Sequence, residues 1–162
     1  MRWFLDTEFN EDGKTIELIS IALVSETGVE YYAGSLEFDP FACNDWVKTN
    51  VIPKLPHVSD GSFWRSRSAI AKDIRQLVLS FDKPEFWAYY ADYDWVALCQ
   101  LYGRMVDLPD GFPMFCMDLK QHMVTLNFLK EDLPTQSAES EHTALDDARW
   151  ARDSWRWIEA RR

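Results

Sequence analysis

The sequence predicts an α/β fold: one mixed sheet with helices on its faces. Three observations carry this. The first 36 residues hold three strand-like segments separated by short Gly-containing turns, the mark of an antiparallel meander. From Ser66 onward, helical periodicity alternates with short apolar segments, the pattern of βα units that add parallel strands. The length, 162 residues, suits a single domain spanning residues 1–162. The expected sheet has five strands, an antiparallel meander of strands 1–3 plus parallel strands 4–5, flanked by helices.

Residues 2–9 read as the first strand by their apolar content, and Glu11-Asp12-Gly13 is a hairpin turn. Residues 15–25, TIELISIALVS, alternate as a second strand; Glu26-Thr27-Gly28 turns the chain again, and residues 29–36 form the third. Pro40, Pro53 and Pro56 interrupt the middle, with short helical pieces around 41–49. Beyond it, Ile70, Ile74, Leu77 and Val78 mark one stripe of an amphipathic helix that Ser66 or Ser68 can cap. The aromatic segment 85–91, EFWAYYA, reads as the fourth strand, and residues 94–103 as a helix ended by Gly103. FPMFCMDL, 112–119, holds a short fifth strand before a helix from about 118 to 130. Residues 131–141 are polar and loop-like, and a last helix runs from 143.

Composition narrows the function. With 47% hydrophobic and 15% aromatic residues, a chain of this size buries about two-thirds of its unfolded surface and needs no disulfide or metal staple. No apolar run approaches the ~20 residues that span a bilayer, and the N-terminus lacks the pattern of a signal peptide. Cys43, Cys99 and Cys116 are three in number and far apart, which argues against a disulfide framework or a Cys-based zinc site and fits a cytoplasmic location. A formal net charge of -10 argues against broad, non-specific nucleic-acid binding. That objection weakens if a cluster of carboxylates is loaded with divalent cations.

Such a cluster is visible. Asp6 and Glu8 stand two apart on the first strand, so both side chains point to one face, with Cα atoms roughly 6.5 Å apart. Two anions so placed repel each other, and a proton or a cation must relieve them. Hard carboxylate oxygens favour Mg²⁺ or Mn²⁺ over zinc or copper. Taken alone, the pair also fits the polar face of a solvated strand. Asp92 and Asp94 mark the junction of an aromatic strand and a helix, at the sheet edge where α/β proteins bind ligands; either also fits a helix N-cap. In EHTALDDARW, 141–150, His142 opens a helix with Asp146 and Asp147 one turn on, and acidic residues there also complement the helix dipole.

Read together, the order Asp-x-Glu, Asp, His-x4-Asp resembles the DEDDh class of 3′–5′ exonucleases, which has a ribonuclease-H-like fold. The matching residues are Asp6 with Glu8, Tyr93-Asp94, and His142 with Asp147. The stretches DTEFNEDGKTIELISIALV, FDP at 38–40, PKLP at 53–56, WRSR at 64–67 and ADYDWVALCQLYG extend the resemblance. They run from residue 3 to about 152 and are similar to the mycobacterial-type, adenylate-preferring 3′–5′ exoribonuclease family. One position departs: Tyr90 stands where the wider class often has Asn.

The resemblance implies a catalytic set of Asp6, Glu8, Asp94, His142 and Asp147. Its four carboxylates would hold two Mg²⁺ ions, with Mn²⁺ as a substitute. His142 would be the general base, since histidine titrates near neutrality, and the polar segment 131–141 would let it move. Motif spacing selects Asp147 over Asp146. The expected reaction releases nucleoside 5′-monophosphates from the 3′ end of single-stranded RNA or a 3′ overhang, and the expected assembly is a homodimer. Substrate contacts are sought in Thr7 and Phe9 beside the first motif, and in Trp64, Arg65 and Arg67, which put an aromatic ring beside cations. Phe9 also fits core packing, and the basic group a solvated helix face. Two other functions share the residues. One is a DNA-directed 3′–5′ exonuclease, separable only by contacts to the 2′-hydroxyl. The other is a non-catalytic nuclease-like binding module, whose expected mark is the loss of a ligand.

Overall fold

The computed structural model describes residues 1–162. Alternation along the first strand sets the architecture. In β1 (Arg2–Glu11), Trp3 and Leu5 turn to one face and Phe4 to the other, and all three are fully buried. A strand with two apolar faces belongs in the middle of a sheet covered on both sides. β2 (Ile16–Ser25) and β3 (Glu30–Ser35) follow as antiparallel neighbours, β2 beside β1 and β3 beside β2. β4 (Trp64–Arg65) pairs parallel with β3. On the other side, β5 (Glu85–Ala88) lies parallel to β1, and β6 (Met117–Asp118) parallel to β5. The sheet order is β4-β3-β2-β1-β5-β6.

The meander with added parallel strands is the expected arrangement, but the sheet has six strands where five were expected. The extra one, β4, is two residues long and too short for alternation to show. Main-chain bonds make it a strand: Gly34 N–H donates to Phe63 O at 3.0 Å and Leu36 N–H to Arg65 O at 2.9 Å. Gly34 is required there, because a Cβ would stand 2.4 Å from the Phe63 ring.

Helices α2 (Arg67–Leu79) and α3 (Ala91–Gln100) cover one face. Ile70, Ile74, Val78, Trp95 and Leu98 pack there against Trp3, Leu5, Ile21 and Leu23, and each such burial is worth about 1.5–3 kcal/mol. The Ser66 hydroxyl caps α2 by accepting from Ala69 N–H, as expected. On the opposite face α5 (Ala144–Glu159) lies along the sheet. Ala144 and Ala148 meet Ala22 and Val24, and Ile158 and Trp155 meet Phe4. Alanines at i and i+4 form a thin stripe that lets the helix approach closely. Two smaller helices, α1 (Asp45–Asn50) and α4 (Leu119–Thr125), complete the layers. No helix is long and apolar enough to cross a membrane.

Three boundaries moved from their expected places. The fourth long segment leaves the sheet at Ala88, and its helix starts at Ala91 rather than 94. Tyr90, with φ of 62°, turns the chain through the left-handed region, and Asp118 accepts from Ala91 N–H at 2.8 Å. The cap thus comes from a residue 27 positions away, so no local pattern announces it. The helix expected to reach about 130 stops at Thr125, where Asn127 adopts a φ of 60°.

Candidate active site

Three elements bring the carboxylates together. Alternation in β1 sends Asp6 and Glu8 to the face under α5, and the first turn of α5 lowers Asp147 onto them. One carboxylate oxygen from each of these three residues lies within 4.8 Å of the other two. Thr7 alternates the other way and is met by α3. Its N–H and hydroxyl both donate to Asp94 Oδ1, at 2.9 and 2.6 Å. All four carboxylates, with Phe9 and His142, line one cavity of about 210 Å³. A register shift between Glu8 and Phe9 breaks the β1–β2 ladder there, and such bulges re-aim side chains at sites. The Phe9 ring stacks on Tyr93 at 5.5 Å and 7°.

Crowding and burial raise every acid in the set. Glu8, 7% exposed, is pushed up to about 8, by burial first and then by Asp147 and Asp94, with Lys54 opposing. Asp94 is raised to about 7 by burial, while the two Thr7 donors pull the other way. Asp6 is held well above the carboxylate range by burial, then by Asp94, Asp147 and Glu8. Asp147 is raised by burial against donors from Gln136 and the His142 N–H. Without a counter-charge the cluster therefore retains protons at neutral pH. Converging carboxylates, all hard oxygen donors, also fit a divalent cation.

His142 stands at the head of this cluster on a left-handed turn, φ 60°. Such a conformation in a bulky residue persists only where neighbours impose it. Its N–H donates to Asp147 Oδ2 at 2.9 Å, and its ring meets Trp46 of α1 edge-on at 4.9 Å. Gln136 Nε2 donates to the other Asp147 oxygen. Asp146 turns away, accepting from Arg149, which also binds Glu30.

The expected substrate contacts divide. Phe9 lines the cavity. Thr7 also borders it but is 5% exposed, and its hydroxyl is committed to Asp94. Trp64, Arg65 and Arg67 lie at the far edge of the sheet, and the structure does not bring them to the carboxylates. Arg65 pairs with Asp73 at 3.0 Å, and Arg67 donates its backbone N–H to Glu37. Trp64 borders a separate apolar cavity of about 400 Å³ with Leu36, Phe38 and Ile52. Sequence reasoning passed over Gln136, Trp46 and Lys54. Gln136 carried one weak signal, its place in the polar segment before His142; Lys54 lies within the PKLP stretch at 53–56, which gave it no role, and Trp46 lies outside every matching stretch.

A central strand carrying Asp-x-Glu, a helix-borne Asp and a His-x4-Asp helix start, gathered on one cavity, define a DEDDh-type exonuclease architecture. The fold agrees. A structure of exonuclease I superposes with a TM-score of 0.70 at 14% identity, covering 99% of this chain and 41% of that one. E. coli exonuclease I in complex with a 5cy-dA13 oligonucleotide gives 0.68 at 14% identity, with 99% and 40% covered. The present chain thus spans about two-fifths of those chains. Residues 1–158 match the 3′–5′ exoribonuclease Rv2179c-like domain family, and the chain belongs to that family. Two Mycobacterium tuberculosis proteins, 3′–5′ exoribonuclease Rv2179c of strain H37Rv and 3′–5′ exoribonuclease MT2234.1 of strain CDC 1551, are each 51% identical over 123 residues. The match covers 75% of this chain and 73% of each relative.

Proposed function

We propose that this protein is a single-domain, divalent-metal-dependent 3′–5′ exoribonuclease that releases nucleoside 5′-monophosphates from the 3′ end of single-stranded RNA. One observation carries the reading: Asp6, Glu8 and Asp147 converge within 4.8 Å in a cavity that Asp94 and His142 also line. Those four carboxylates are the residues to hold two Mg²⁺ ions, or Mn²⁺ in their place. Bound divalent ions acidify a water and offset charge building on the phosphate.

The chain's own groups do the rest. His142 takes the proton of the attacking water, and its backbone bond to Asp147 keeps it beside the carboxylates. Thr7 orients Asp94, and Gln136 orients Asp147. The Phe9–Tyr93 stack offers an aromatic surface to the terminal base. The proposal includes a cytoplasmic homodimer. The family resemblance supports pairing, and three unpaired cysteines suit a reducing compartment. Sedimentation equilibrium tests the pairing.

The test of function is degradation of 5′-labelled single-stranded RNA and DNA with Mg²⁺, Mn²⁺ or EDTA, with Asp6→Ala as control. The expected result is a ladder shortening from the 3′ end of RNA, lost in EDTA and in the variant. A ladder on DNA alone would change the substrate, and inertness on both polymers with both ions would end the reading. His142→Ala should lower turnover while metal affinity stays; a collapse of metal affinity would remove the base assignment.

A further inference from the structure

His142 has to be held where a water can meet it, yet it ends a polar segment with little core of its own. Most hydrogen bonds of this segment are local: Ser137 and Ser140 close a turn on each other. Its first half is tied to α5, where Trp150 Nε1 donates to Pro134 O and Gln136 to Asp147; residues 138–141, next to His142, are anchored from another part of the chain. Lys54 ends the 3₁₀ turn Ile52–Lys54 just after α1. Its Nζ donates to Glu141 O at 2.6 Å and to Ala138 O at 3.2 Å. An ammonium shared by two carbonyls is a charge-assisted clamp, stronger than a neutral hydrogen bond. Glu141 is the residue immediately before His142.

The clamp has a firm base. Cys43, Val47 and Val51 are buried and pack with Ile19 of β2 and with Ile52 and Leu55, which flank Lys54. The same small layer holds α1, whose Trp46 meets the His142 ring edge-on. One element thus fixes both the backbone before His142 and the ring itself. Both partners come from the irregular Pro-interrupted middle of the chain, which contributes no carboxylate to the site.

We propose that Lys54 is a positioning residue for the proposed general base: it latches the 138–141 arm to the α1 layer and so sets where the His142 imidazole stands. Trp46 completes the latch from the side. This rests on the reading of His142 as base, and it assigns the middle segment a role in turnover rather than in holding metal or RNA.

The experiment compares Lys54→Met and Lys54→Arg with the wild type. The wild type must first shorten RNA from the 3′ end and Asp6→Ala must not, which checks the underlying reading separately. Lys54→Met should then lose about 10- to 100-fold in kcat, the usual cost of misplacing a catalytic group by about 1 Å, with KM within about threefold of wild type. Lys54→Arg, which keeps a charged donor, should recover most of the loss. Independently of activity, amide hydrogen exchange over 137–142 should quicken in Lys54→Met while the core strands keep their protection. Should Lys54→Met lose its thermal transition, Lys54→Gln takes its place in the same comparison. Unchanged kcat with unchanged exchange overturns the proposal. So does a rise in KM with kcat and exchange unchanged, which would make Lys54 a contact to RNA.

Discussion

Replacing Glu8 with Gln keeps the side chain's shape and removes one charge from the crowded site, and the cost of that charge follows from the structure. In the unfolded chain Glu8 gives up its proton near 4.5; in the metal-free fold it keeps it up to about 8. The folded value is the higher, so the folded state binds the extra proton. The contribution of Glu8 to stability is therefore fully present below pH 4.5 and is lost as pH rises to 8. At about 1.36 kcal/mol per pH unit, the ionisable Glu8 costs the metal-free fold up to about 5 kcal/mol at pH 8, a cost shared among carboxylates that titrate together. Glu8→Gln never carries it. At about 2–4 °C per kcal/mol for a domain of this size, the variant's melting temperature in EDTA should gain roughly 10 °C on the wild type between pH 4.5 and pH 8. Excess Mg²⁺ should reverse the order, because cation binding stabilises the wild type and the variant has lost a ligand. Melting curves by circular dichroism at pH 4.5, 6 and 8, with EDTA and with Mg²⁺, decide the matter. A gap between the two proteins that does not change with pH in EDTA would refute the reasoning.

Other changes probe other parts of the site. Thr7→Val removes the 2.6 Å hydroxyl donor to Asp94; it should cost about 1.5–3 kcal/mol of stability with the metal bound and lower kcat, read by melting and by turnover. Losing that donor should also raise the Asp94 carboxyl further above its present value of about 7. Phe9→Ala should raise KM for RNA by about tenfold, as the loss of one stacked base would; a fall in melting temperature with KM unchanged would return Phe9 to the core. Tyr90→Asn places a residue tolerant of positive φ at φ 62°, and should preserve stability or raise it by up to about 1 kcal/mol, seen in denaturant midpoints. Gly34→Ala drives a methyl into the Phe63 and Trp64 rings and should lose about 1–3 kcal/mol, with turnover per folded molecule unchanged.

What could be read beforehand follows the range over which residues act. Alternation in Arg2–Glu11 put Asp6 and Glu8 on one face from sequence alone, because a strand's period is a local property. The Ser66 cap and the Ile70, Ile74, Val78 stripe of α2 were legible for the same reason. The two-residue strand Trp64–Arg65 was not, because it exists only by pairing with Gly34 and Ser35. The start of α3 was misplaced because Asp118, not a neighbour, accepts from its first N–H. Basic residues at 65 and 67 suggested a phosphate track; in the fold the Arg65 side chain pairs with Asp73, and Arg67 stands 3.8 Å from Glu17 while its backbone N–H donates to Glu37. Lys54 stood in the matching PKLP stretch, but its role was illegible: a lysine between prolines gives no hint of carbonyls more than 80 residues away.

The site also explains how an acidic chain tolerates its own first strand. Trp3, Phe4 and Leu5 are fully buried and sit directly before the carboxylates, so one strand both builds the core and carries the repulsion. A local conflict of this kind survives only if the rest of the sheet supplies the stability. It does so asymmetrically. The face under α2 and α3 is a continuous apolar core, while the face under α5 is thinned to Ala22, Ala144 and Ala148 next to the site. Small residues there let α5 bring Asp147 to Asp6 and Glu8; larger ones would push the helix away and separate the carboxylates. The alanine stripe is thus as much a part of the site's construction as the acids, and the formal charge of -10 overstates what an RNA phosphate meets. Part of that charge lies in a buried pocket that raises its carboxyl groups above their usual range, so that protons or bound cations would offset it.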